Sequence, residues 1–127
     1  MASPARRVLV IGLDPYRVPG PWDPEPVARA IEKSASRLAE RGLDAESCLV
    51  GLDGSDDVEA VVTAALRSRP WDCVVVGGGL RSSEELLEMF EMVVNLVHRL
   101  APDASIAFNS TPSDIADAVE RRWTARP

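Results

Sequence analysis

Short apolar runs alternate along this chain with longer stretches in which apolar positions recur every three to four residues, and the alternation repeats four times. The long stretches have the period of a helix with one buried face. The short unbroken runs read as strands covered on both faces. The first run is Arg7 to Leu13, and its helix is expected to open at Asp23-Pro24, an N-cap with proline in the first turn. Val27, Ile31, Ser34 or Ala35, and Leu38 define the buried face, and Gly42 closes the helix.

The second strand, about Glu46 to Leu52, is more mixed and is expected at a sheet edge. Its helix opens at Ser55-Asp56-Asp57, turns Val58, Val61, Val62, Ala65 and Leu66 inward, and stops at Pro70. The third strand, Val74 to Val76, runs into Gly77-Gly78-Gly79. Ser82 and Glu85 stand there in capping-box spacing, which predicts unpaired helix N–H groups facing the crevice above the strand. The following helix carries Leu86, Phe90, Val93, Val97 and Leu100 and is expected to be the longest. A fourth strand, Ser105 to Asn109, leads to Thr111 as a cap and Pro112 as the first helical residue, with Ile115, Ala118, Val119 and Trp123 facing inward.

Right-handed crossovers between such units predict an α/β fold: a flavodoxin-like, Rossmann-like three-layer domain with a four-stranded parallel sheet ordered 2-1-3-4. The 127 residues suit a single domain with loosely held ends at about 1–5 and 125–127. Ligands of such sheets bind beyond the carboxyl ends of the strands, at the switch point between strands 1 and 3. The fourth strand would leave an open edge bearing Ile106 and Phe108, from which a homodimer is expected.

Charge narrows the function classes. A formal net charge of -6 disfavours nucleic acid, since Arg6-Arg7 and Arg121-Arg122 are isolated pairs without interleaved aromatics. No apolar run reaches membrane-spanning length and the N-terminal segment lacks a signal-peptide core, so a cytoplasmic location is expected. Cys48 and Cys73 lie within apolar runs and read as buried free thiols. His98 is the only histidine, which leaves no Ser-His-Asp triad and no two-histidine metal site. No metal or organic cofactor is indicated.

The candidate chemistry therefore sits in the loops. Asp14, at the exit of the first strand, is positioned to act as a general acid or base. Tyr16 and Trp22 could stack on a ligand and Arg17 could hold a carboxylate or phosphate, in a proline-rich connection expected to act as a semi-rigid flap. Gly77, Gly78 and Gly79 let something approach the backbone, and Arg81, beside the helix start with Ser82, could add its guanidinium to the backbone N–H groups in binding an anion. Asn109 and Ser110 offer small polar groups from the fourth strand exit. Gly77 to Gly79 fits neither a GxGxxG nor a Walker pattern.

Over most of its length the chain resembles a family of small bacterial and fungal α/β proteins that share a G-x-G-x-R turn, here Gly77-Gly78-Gly79-Leu80-Arg81. They also share an F-N-[ST]-x-P-x-D segment, here Phe108-Asn109-Ser110-Thr111-Pro112-Ser113-Asp114. That resemblance implies the fold and the choice of loops, and no activity. A phosphoreceiver domain shares the topology, but Gly77 stands where its phosphorylated aspartate would be.

Two functions fit these residues. One is a cofactor-independent acid–base enzyme, an isomerase, lyase or hydrolase, acting on an anionic or carbonyl-containing small molecule with Asp14 moving the proton. The other is a noncatalytic, dimeric module binding a metabolite or protein through the same loops. A buried Asp14 facing Arg81 across an enclosed pocket would favour the first, and an Asp14 held in a turn the second.

Overall fold

The four apolar runs become four parallel strands in the order β2-β1-β3-β4, in a computed structural model that describes residues 5–124. In chain order the strands are β1 (Arg7–Leu13), β2 (Asp44–Val50), β3 (Cys73–Val76) and β4 (Ser105–Phe108). The helices are α1 (Glu25–Glu40), α2 (Val58–Ser68), α3 (Gly78–Arg81), α4 (Leu87–Leu100) and α5 (Ile115–Thr124). Of the loosely held ends expected at about 1–5 and 125–127, residues 1–4 and 125–127 lie outside the described residues.

Strand alternation sorts the side chains into two layers. Val8, Val10, Cys73, Val75 and Ala107 pack on one face with Leu38 of α1 and with Ile115 and Val119 of α5. Leu9, Ile11, Cys48, Val74 and Val76 pack on the other with Val62 and Leu66 of α2 and Val93 and Val97 of α4. β1 pairs with β2 over its whole length and with β3 from Val8 to Ile11. The strand order reverses there, so the ends of β1 and β3 splay around a crevice.

Several boundaries differ from expectation for local reasons. β2 spans Asp44–Val50, two residues earlier than Glu46 to Leu52, because the Gly51 N–H turns to Asp56 Oδ2 and the Leu52 N–H to the Arg17 carbonyl, out of the ladder. The third helical segment is not the longest. It breaks into α3, a 3₁₀ turn at Glu84–Leu86 and the 14-residue α4, while α1 has 16 residues. Ser82 consequently closes α3, its N–H donating to the Gly78 carbonyl, and its side chain caps no helix. The helix of the fourth unit, α5, starts at Ile115, and Thr111 caps a turn instead, its Oγ1 accepting from the Ser113 N–H. In α1 it is Ser34, not Ala35, that is buried.

β2 and β4 form the two edges. At β4 the Phe108 carbonyl accepts from Arg121 at 2.8 Å, and the Phe108 ring packs on Phe90. No helix among the described residues is long and apolar enough to cross a membrane.

Candidate functional site

At the switch point a cleft of about 330 Å³ opens among the ends of β1 and β3, the first turns of α1 and the loop between β4 and α5. That volume lies at the low end of the roughly 300–1,000 Å³ usual for small-molecule sites. Its walls are aliphatic. Val10 and Leu13 come from β1, Val27 and Ile31 from α1, Leu49 from β2 and Ile115 from α5. The connection from β1 to α1 covers the cleft with Pro15, Val18 and Trp22, and the Trp22 indole N–H is tied to the Val18 carbonyl at 3.1 Å. Val27 and Ile31 are only half-buried because this cleft, not another helix, meets them.

Seven of the ligand-contact candidates singled out in the sequence line this one space: Trp22, Gly77, Gly78, Gly79, Ser82, Asn109 and Ser110. Asn109 organises its floor. It is 4% exposed; its Oδ1 accepts from the Gly78 N–H at 3.1 Å and its Nδ2 donates to the Thr111 carbonyl. The first N–H of α3, expected to be open to an anion, is therefore already paired within the chain. Nor is every glycine here free to face a ligand. A Cβ on Gly78 would stand 2.9 Å from the Asn109 carbonyl oxygen, and one on Gly77 would stand 3.1 Å from that of Ile11. At Gly78 that contact demands glycine for packing alone, and at Gly77 a side chain would press on the β1 backbone. Ser110 directs its N–H to the Asp114 carboxylate, whereas the hydroxyls of Ser82 and Ser110 have no partner among the described residues.

Asp14, Tyr16, Arg17 and Arg81 are placed elsewhere. Asp14 Oδ1 accepts from the Tyr16 N–H at 3.0 Å, opening a 3₁₀ turn at Pro15–Arg17, and Oδ2 pairs with Arg17 Nε at 2.9 Å. Arg17 also donates to Asp56 Oδ2 and to the Leu49 carbonyl. Its pKa is raised by its carboxylate partners, Asp14 first. The Tyr16 ring is 65% exposed. Arg81 points to the other side of the sheet, donating to the Asn109 carbonyl at 3.0 Å and lying over the Phe108 ring. None of these four lines the cleft. Arg17 is held on the β2 side and Arg81 on the β4 side, so Asp14 and Arg81 do not face each other across a pocket.

Sequence reasoning passed over the walls. Val27, Ile31 and Ile115 carry the same helical periodicity whether they meet a core or a cleft. Trp22 is an expected stacking residue of the flap, whereas Val18 joins the cover only because that loop folds back. The chain matches no known protein family, and no curated protein matches it.

Proposed function

We propose that the protein is a binding module for a small, uncharged, largely apolar molecule carrying a carbonyl oxygen, held in the cleft at the β1–β3 switch point. One observation carries this reading: every residue lining the cleft is uncharged, and its larger side chains are chiefly valine, leucine and isoleucine. A carboxylate or phosphate desolvated there would meet no cation, since Arg17 and Arg81 are engaged outside it. A carbonyl oxygen costs less to desolvate and finds donors in the Ser82 and Ser110 hydroxyls on the rim. Catalysis by Asp14 is the weaker reading, because its carboxylate serves the Tyr16 N–H and Arg17 in a turn beside the cleft.

The test is an amide-shift titration with two probes of matched chain length, methyl hexyl ketone and octanoate. The ketone is expected to shift Gly79, Ser110 and the Trp22 indole at lower concentration than the carboxylate. Tighter octanoate binding, or shifts confined to another face, overturns the reading.

The proposal includes pairing of two copies along β4. Ser105 directs its N–H to Asp72, so in a parallel ladder the next residue, Ile106, turns its backbone groups to the open edge.

A further inference from the structure

The eight glycines of the chain separate by what their backbone surroundings require. Three have positive φ, at Gly20, Gly42 and Gly54, where side chains are strained. Three more are pressed by neighbours. Gly77 and Gly78 meet backbone oxygens, and a Cβ on Gly51 would stand 2.9 Å from the Arg17 Cβ. Only Gly12 and Gly79 remain. Neither has positive φ, and an added Cβ would meet only Leu49 Cδ2 at 3.8 Å from Gly12, or Leu13 Cδ1 at 3.4 Å from Gly79. Those are ordinary van der Waals separations to flexible side chains.

Folding alone would favour a larger residue at both positions. Glycine inside a strand forgoes packing, and in a helical turn it gives up backbone entropy that alanine would save. Gly12 is in β1 and Gly79 in α3, yet both line the cleft, as do Leu49 and Leu13, which their absent side chains would touch. The space left by these two glycines is part of the cleft.

We infer that Gly12 and Gly79 are size-determining positions of the cleft, kept free of side chains so that a ring or branched apolar group can lie against the backbone of β1 and α3. This deepens the binding reading above and rests on it. A slender ligand could use the aliphatic walls without the room these glycines leave, whereas a broad one could not.

The test compares acetone with acetophenone on the wild type, Gly12→Ala and Gly79→Ala, by amide-shift titration, with thermal melts of all three and of Gly78→Ala. Both cleft variants should keep or raise the melting temperature, while Gly78→Ala lowers it. The acetophenone-to-acetone affinity ratio should fall about tenfold in each cleft variant, the scale of one misplaced methyl group in an apolar pocket. If neither ketone binds the wild type, the reading of the cleft as a ligand site falls and the inference with it. If both bind but the ratio does not change, or if Gly12→Ala and Gly79→Ala melt as early as Gly78→Ala, the inference alone falls.

Discussion

Arg17 donates through its guanidinium to Asp56 Oδ2 at 2.7 Å, joining residues 39 positions apart and clasping the loop after β1 to the loop after β2. Asp56 Oδ2 also accepts the Gly51 N–H, and the Leu52 N–H donates to the Arg17 carbonyl, so the two loops are locked by side chain and backbone together. The locked loop is the one that lays Pro15, Val18 and Trp22 over the cleft.

Removing the clasp should free the cover without unfolding the sheet. Arg17→Ala is expected to speed hydrogen exchange at residues 15–22 and to shift Trp22 emission to the red, with exchange in β1 and β3 unchanged. Asp14→Asn keeps an acceptor for the Tyr16 N–H and loses one ion pair, so its stability cost should stay below about 1 kcal/mol. Ketone affinity should survive that change. Loss of binding in Asp14→Asn with the loop's exchange intact would place Asp14 in the site after all.

Asn109 should prove a structural residue whose loss deforms the cleft. Asn109→Ala leaves the Gly78 N–H and the Thr111 carbonyl without their partner, for an expected cost of about 1–3 kcal/mol in urea unfolding. Gly78→Ala forces a Cβ against two backbone oxygens and should cost a similar amount, about 1–3 kcal/mol. Near-wild-type midpoints for both would show that the loop between β4 and α5 yields more readily than its hydrogen bonds imply.

Stability should decline in alkali through the buried thiols. Burial raises the Cys73 pKa from its ordinary 9.0 to about 11, with Arg122 opposing the shift and Asp72 adding to it. The unfolded chain therefore releases this proton first as pH rises. The thiol's contribution is complete below pH 9 and is lost progressively between about 9 and 11, approaching about 2 kcal/mol. Cys48 is raised also by burial and acts in the same direction. The loss over that range should be smaller in Cys73→Ala than in the wild type, as read from urea midpoints against pH. Equal slopes would mean that the thiol ionises freely in the folded protein.

Association through β4 should be sensitive to loss of a single edge N–H. Sedimentation is expected to show a dimer for the wild type and a monomer for Ile106→Pro, since proline removes the N–H offered to a second copy while keeping an apolar side chain against the core. Arg121 already occupies the Phe108 carbonyl, so the pairing must centre on Ile106. A wild-type monomer at high micromolar concentration would remove the proposal.

The frame was legible in the chain alone. Unbroken apolar runs and helical periodicity identify four strand-to-helix units, handedness orders the strands, and the β1–β3 switch point follows, because these rules depend on local pattern and chain connectivity. Within that frame Gly77 to Gly79, Ser82, Asn109 and Ser110 could be assigned to one end of the sheet before any coordinates. Where the charges go was not legible. Asp14 could as well have faced the crevice, and Arg17 meets Asp56 only because β2 folds against β1. The capping box at Ser82 failed for a comparable reason: Asn109, 31 residues away, caps Gly78 and starts the helix early. Tertiary structure alone decided that Val27 and Ile31 border a cleft instead of a neighbouring element, and that two of the eight glycines are required by nothing around them, because only folding in three dimensions settles which surfaces meet and which space is left open.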